Sequence, residues 1–462
     1  MRGRRVRLTL SGGQARLGVL VVLCGVGLAV AALAGGCEPT GLGPPKPVLL
    51  FSGNNEGVLA ACGCPSNPSG GLAKREGLIE SYRNRRPAVV LVDAGDLFPD
   101  YQYAIKAKYV AKAAGRQGYD AIGLGDQEFC LGLARLQEFR KEFNLPLVCS
   151  NVRDAATGRF VVEPHIIREV AGRKIGIFSV IADQTYGWPP VEWRTGLKVE
   201  PPVEAARREV RELAGCDLIV GISHQSIHET RQLAADVPGI HVLISGHDEN
   251  ILPKGEKIGQ TLLVATGGEG RVMGAVSIAG GSPGKPKLTL DMTELSLHVP
   301  DTKWVMDMYW EYVKEAKDNP PPDWNDVPIP AKYEPAETCG KCHPMEYKHW
   351  LTTAHSRTYE TIRKTGRQDD PECLLCHTMG LGRPGGFVSM AKTPPFARVT
   401  CQGCHAVTSD HADRKIKPEP KIKIHSRLCM SCHGPVQSPN FDYFTYKPKI
   451  LHRPVTPGST KK

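Results

Sequence analysis

A chain of 462 residues exceeds what one hydrophobic core usually holds, so two or three domains are expected. The formal net charge is +10, and 21 Lys and Arg against 11 Asp and Glu from Ala331 onward supply all of it, while residues 1–330 balance at 37 against 37. A basic surplus confined to one region, without the interleaved aromatic and basic residues of single-strand binders, argues against nucleic acid as a partner.

The chain opens with Arg2, Arg4, Arg5, Arg7 and Arg16 and no acidic residue, followed by an apolar run from Leu17 to Ala34. That pattern is an export signal over residues 1–36. A membrane-spanning anchor is the competing reading, but the run is interrupted by glycines and falls short of the roughly 20 residues a bilayer needs. The sequence Leu33-Ala34-Gly35-Gly36-Cys37 resembles a bacterial lipoprotein processing site, which implies lipidation of Cys37 and tethering on the periplasmic or cell-surface side of a membrane. Residues 37–47, rich in Gly and Pro, form the tether.

From Val48 to Val299 short apolar runs alternate with helical spacing. Val48 to Phe51, Ala88 to Asp93, Ala121 to Leu124, Ile175 to Val180, Leu218 to Ser223, Val242 to Ser245 and Thr261 to Ala265 read as buried strands. Leu72 to Asn84, Tyr103 to Gln117, Leu133 to Phe143 and Val203 to Leu213 read as helices, which predicts an α/β domain over residues 48–299 with its functional groups where strands give way to loops. Residues 300–330 then give a helix from Thr302 to Lys317 and a stiff linker with five prolines. Beyond it, residues 331–455 are rich in Cys, His, Pro and Gly and too poor in aliphatic side chains to close a core of that length; residues 456–462 form a tail.

Fifteen cysteines in an exported chain would ordinarily suggest a disulfide framework. Eight of them instead belong to four Cys-x-x-Cys-His motifs: Cys339, Cys342 and His343; Cys373, Cys376 and His377; Cys401, Cys404 and His405; Cys429, Cys432 and His433. Two thiols three positions apart reach the two vinyl groups of one porphyrin, and the adjacent His then lies under the iron as its proximal ligand. A zinc site would not place a His directly after every pair. Four haem c groups are therefore expected, in a small, mostly helical and irregular domain whose core is the haems themselves, and whose propionates account for the basic surplus. The spare histidines, His355, His411, His425, His349 and His452, are the candidates for the distal position.

The first motif followed by Trp350-Leu351-Thr352-Thr353-Ala354-His355 resembles the Trp-x-x-Ser/Thr-x-His signature of multihaem cytochromes, and Cys373 to Gly380 and Cys429 to Pro435 fit the same family. Over about 125 residues this region resembles the tetrahaem cytochrome family that accepts electrons from hydroxylamine oxidoreductase. The resemblance implies closely packed, mostly bis-histidine haems, with His355, His411 and His425 as distal ligands, His349 and His452 in reserve, and one haem open to lacking its sixth ligand. Electron transfer with redox partner proteins follows, though neither donor nor acceptor is named by the sequence.

Five landmarks punctuate the α/β region: Asn54-Asn55-Glu56-Gly57, Asp93-Ala94-Gly95-Asp96, Gly125-Asp126-Gln127-Glu128-Phe129, Ser223-His224 and Ser245-Gly246-His247-Asp248-Glu249. In this order they resemble the metallophosphoesterase domain of the 5'-nucleotidase family. The resemblance implies a four-layer α/β sandwich and a two-metal site for phosphoester hydrolysis. Asp96, His224 and His247 agree with the family; Asn54 and Glu56 replace an Asp and a His, Asp126 and Gln127 replace Asn and His, and Glu249 replaces the last His. The donors that remain, Asn54, Glu56, Asp96, Asp126, His224, His247 and Glu249, suit one divalent cation better than a two-metal clamp.

Cys62, Cys64 and Cys130 stand near these landmarks as candidate catalytic thiols or soft-metal ligands, with a structural disulfide and a buried Cys as the plainer alternative. Cys149 and Cys216 read as core. Three functions remain open from the sequence. They are electron transfer beside a degenerate hydrolase domain, a bifunctional enzyme with thiol, metal or open-haem redox chemistry on a small sulfur or nitrogen compound, and retained metal-dependent nucleotide hydrolysis.

Overall fold

The computed structural model describes residues 46–61, 69–86, 88–182, 195–282, 285–321, 330, 332–405, 411, 424–434, 438 and 440–452. The expected leader, Cys37, Cys62 and Cys64 lie outside them. In chain order β1 (Val48–Ser52), α1 (Leu72–Arg85), β2 (Val89–Asp93), α2 (Ala104–Gln117), β3 (Ala121–Gly123), α3 (Gly132–Glu142) and β4 (Leu147–Val148) alternate. There follow β5 (Val152–Asp154), β6 (His165–Val170), β7 (Arg173–Ile181), β8 (Leu197–Val199), α4 (Pro202–Glu212), β9 (Leu218–His224) and α5 (Ile227–Asp236). Then come β10 (Val242–Ser245), β11 (Glu256–Ile258), β12 (Thr261–Ala265), β13 (Val272–Ser282), β14 (Lys285–Glu294) and α6 (Lys303–Ala316).

The strands build two six-stranded sheets, ordered β14-β13-β1-β2-β3-β4 and β11-β12-β10-β9-β7-β6. Side chains alternate across each strand, so each sheet buries both faces. Val48, Leu50 and Leu91 enter a core shared with α1, α2, α3 and α6, whereas Leu49, Phe51, Val90 and Val92 meet Ile175, Ile177, Val220 and Ile222 between the sheets. On the far side Phe178, Val180 and Leu243 pack with Ala205, Ala206, Leu233 and Ala234 of α4 and α5. Helices, sheet, sheet and helices make the four-layer α/β sandwich expected from the sequence.

The β13–β14 hairpin, α5 and the strands β4, β5, β6, β8 and β11 are not among the elements expected from the sequence. The signal for α5 was present: Ser226 and Glu229 form a reciprocal capping box at its start.

The carboxy-terminal region is helical and irregular, with α7 (Ala336–Gly340), α8 (Pro344–Thr352), α9 (Thr358–Lys364) and α10 (Pro371–His377). Its apolar core is small, gathered around Tyr333, Tyr359, Leu374, Met379, Phe387 and Phe396. The amino end of α10 docks on the α/β body. Tyr101 donates to Glu372 at 2.7 Å, Tyr309 of α6 donates to the buried Asp370, and Arg367 donates to the Ala61 carbonyl at 2.7 Å. No helix among the described residues is long and apolar enough to cross a membrane.

Candidate functional site

The five landmarks meet where β1, β2, β3, β9 and β10 end, as the crossover topology of parallel strands dictates. Asp96, Asp126, His224 and His247 converge there, with one ligand atom of each within 4.8 Å of the others. His224 Nε2 lies 3.2 Å from both Asp96 Oδ2 and Asp126 Oδ1, and His247 Nδ1 lies 3.2 Å from Asp126 Oδ1. His224 Nδ1 donates to the Ala94 carbonyl at 3.0 Å, which turns Nε2 toward the carboxylates. Burial opposes charge on Asp126, but hydrogen bonds from His224 and His247 outweigh it and hold its carboxyl far below the usual range. Two carboxylates and two imidazoles held this way can bind one divalent cation.

The loops are strained to make this fit. Asn54, Glu56, Asp96 and His247 all take positive φ, at 46°, 54°, 52° and 70°. Gly125 has no room for a side chain, since a Cβ there would collide with Asp96 Oδ1 and sit 2.6 Å from His224 Cε1. Glu128, visible in the sequence only as part of a landmark, is the buried clamp of these loops. Its carboxylate accepts from the backbone N–H groups of Asp96, Leu97 and Gly125 at 3.0, 2.8 and 2.6 Å. Burial, then repulsion from Asp96, pushes its pKa to about 7.

Of the other expected donors, Glu56 and Glu249 stand outside the four-atom cluster. Asn54 is a latch: its amide donates to Asp248 O at 3.0 Å and accepts from His247 N at 2.9 Å, tying the first landmark to the last. Glu56 accepts from Glu269 N at 3.2 Å, and burial, with repulsion from Glu269, Asp96 and Glu249, pushes its pKa to about 8. Glu249 is exposed at the rim. The Cys130 thiol is fully buried beside Phe129 and Leu136, and burial, then repulsion from Glu128, Asp100 and Asp96, drives its pKa to about 12, far from a reactive thiolate. Cys149 and Cys216 are buried core residues as expected.

In the carboxy-terminal region the Cys-x-x-Cys-His segments coil so that the His N–H bonds the first Cys carbonyl, at 2.9 Å for His343, 2.9 Å for His405 and 2.8 Å for His433. One helical turn thus gathers both thiols and the imidazole. Three of these imidazoles face a second ring. His343 faces His411 with centroids 6.1 Å apart, His405 faces His452 at 6.2 Å and an interplanar angle of 19°, and His433 faces His355 at 6.1 Å. Two metal–nitrogen bonds of about 2 Å and two imidazole half-widths account for that separation, so an iron fits between each pair. A cavity beside the third motif is lined by Trp350, Thr400, Cys401, Cys404, His405 and His452, as a porphyrin would require.

His355 and His411, expected as distal ligands, and His452, held in reserve, each face a motif histidine. His425 stands at the N-cap position of the helix Ser426–Met430, and His349 Nδ1 meets His452 Nδ1 at 3.3 Å. His377 donates through Nδ1 to the Thr358 carbonyl at 2.8 Å, leaving Nε2 for a metal, and among the described residues no second imidazole faces it.

Comparison with known proteins divides the chain the same way. Residues 338–406 match the family described as Cytochrome c554 and c-prime, a span that holds the first three motifs. Over 200 residues the chain is 31% identical to the snake venom 5'-nucleotidase of Gloydius brevicauda, covering 40% of this chain and 33% of that protein. It is 27% identical over 269 residues to the trifunctional nucleotide phosphoesterase protein YfkN of Bacillus subtilis, covering 51% of this chain and 18% of that one. The chain thus spans a third or less of the length of these relatives. Among solved structures, a 5'-nucleotidase precursor from Thermus thermophilus superposes with a TM-score of 0.53 at 20% identity, over 70% of this chain and 68% of that chain. The sulfate thiohydrolase SoxB of Thermus thermophilus gives 0.54 at 15% identity, over 65% and 68%. At these identities the likeness is one of fold. The protein joins a body with the 5'-nucleotidase-like metallophosphoesterase fold to a region resembling the cytochrome c554 family.

Proposed function

We propose that this chain is an exported electron-transfer cytochrome carrying four thioether-linked haem c groups, with an amino-terminal body that holds one divalent cation and has lost two-metal phosphoester hydrolysis. The observation that carries the reading is the set of three facing imidazole pairs. Each joins the His of one motif to a histidine dozens of residues away, an arrangement that folding without a metal between the rings has no reason to favour. The motifs also lie close to one another: Cys339 neighbours Cys401, Cys432 neighbours Cys376, and Cys404 lies near Cys429 and Cys432. These contacts support a continuous electron path in the order first, third, fourth and second motif. Donor and acceptor are separate redox proteins, met on the outer side of a membrane to which lipidated Cys37 tethers the chain.

Loss of hydrolysis follows from the donors. A two-metal clamp needs ligands on both sides of the attacking water. One side here offers the latched amide of Asn54, the carboxyl of Glu56, whose charge burial disfavours, and the exposed Glu249. Pyridine haemochrome analysis of protein from a maturation-competent host is expected to give four covalent haems per chain, and assays with manganese or zinc are expected to show no nucleotide hydrolysis. Fewer than four haems would overturn the first half of the reading, and robust metal-dependent turnover the second.

A further inference from the structure

Behind the cavity beside the third motif stands an imidazole that none of the three facing pairs uses. His349 lies in α8, the helix that follows the first motif, and its Nδ1 is 3.3 Å from Nδ1 of His452. The two rings meet at 90° with centroids 5.5 Å apart, a distance that the nitrogen separation and two ring radii nearly fill, so the two nitrogens point at each other. His452 lines the cavity together with His405, and His349 does not. His349 therefore stands against the Nδ1 side of His452, outside the space a porphyrin would take. The next residue anchors it there. Trp350, 6% exposed, donates from Nε1 to the Val399 carbonyl at 3.1 Å, two residues before Cys401, and stacks on Tyr347 at 5.6 Å.

From this geometry we infer that His349 is a positioning residue for the third haem, holding His452 as its distal ligand and lowering that haem's reduction potential. The inference rests on the haem reading proposed above. A neutral imidazole that gives Nε2 to iron keeps its proton on Nδ1, so His452 donates and His349 Nδ1 accepts. That hydrogen bond fixes the plane of the His452 ring and makes it a stronger electron donor to the iron. The oxidised iron carries one more positive charge than the reduced iron and gains more from the donation, so the potential falls. The same bond ties the helix that follows the first motif to a ligand of the third.

The test is a spectroelectrochemical titration of the full-length holoprotein, with electron paramagnetic resonance on the same samples, for the unaltered protein and for His349→Phe and His349→Gln. Phe fills the space of the ring and accepts no hydrogen bond, whereas Gln keeps an accepting oxygen; His349→Leu gives the same comparison where Phe is not accommodated. In His349→Phe one of four one-electron components is expected to rise by about tenfold in equilibrium constant, or about 59 mV, with haem content and the other three components unchanged. His349→Gln should leave that component near its unaltered potential. In a His452→Met background His349→Phe should shift nothing, because the donor is gone. Four unmoved components in His349→Phe, equal shifts in the Phe and Gln variants, or a shift that persists in the His452→Met background would overturn the inference. Loss of a low-spin iron in His349→Phe but not in His452→Met would overturn it by making His349 the ligand. A haem count below four in the unaltered protein would identify a failure of the haem reading instead.

Discussion

Glu76 of α1 is 5% exposed, and its pKa is pushed to about 7, first by burial and then by Glu80, against the opposing pull of Arg83. The folded protein holds this proton more tightly than the unfolded chain does. Its favourable contribution is therefore complete below about pH 4.5 and is lost as pH rises through about 7. Glu76→Gln should leave stability unchanged near pH 4 and raise it by up to about 3 kcal/mol above pH 7, measured by denaturant unfolding at the two pH values. At this scale the sequence was legible wherever a side chain's role is set by its own chemistry. Asp96, Asp126, His224 and His247 could be named as donors before any geometry was known. Glu128 could not, because clamping three backbone N–H groups depends on how two loops fold over it. Spacing along the chain likewise does not show that the His452 ring faces His405.

Among elements, the parallel strands announced themselves because both of their faces are buried, which leaves uninterrupted apolar runs such as Leu218 to Ser223. The β13–β14 hairpin pairs antiparallel at a sheet edge, and β14 alternates half-buried with exposed residues, so its signal is weaker. The loops between strand ends and helices carry the cation cleft, and their glycines are structural requirements of it. Gly125→Ala would push a methyl group into Asp96 and His224. Manganese affinity is expected to fall about 10- to 100-fold, the range seen when supporting groups of a metal site are disturbed, while haem content stays the same. Isothermal titration calorimetry on the holoprotein measures the first and absorbance the second; unchanged affinity would mean that the four side chains do not act together as ligands.

For the molecule as a whole, the two regions differ in what holds them together. The α/β body has three apolar cores arranged by its sheets, and its four-layer fold followed from the pattern of apolar runs together with the family resemblance. The carboxy-terminal region has one small core, so on the function proposed its chain path would be set by thioether bonds and imidazole pairs that no hydrophobic periodicity encodes. The joint between the regions, built on Asp370, Glu372, Tyr309 and Arg367, is invisible in sequence because it unites polar residues 61 to 306 positions apart. The central claim is that His343 with His411, His405 with His452, and His433 with His355 each grip one iron. Electron paramagnetic resonance of the oxidised holoprotein tests it most directly by counting low-spin, two-imidazole irons. The account predicts at least three, with one of them lost in His452→Met and none in His425→Met; fewer than three in the unaltered protein, or loss in the His425 variant alone, would contradict it.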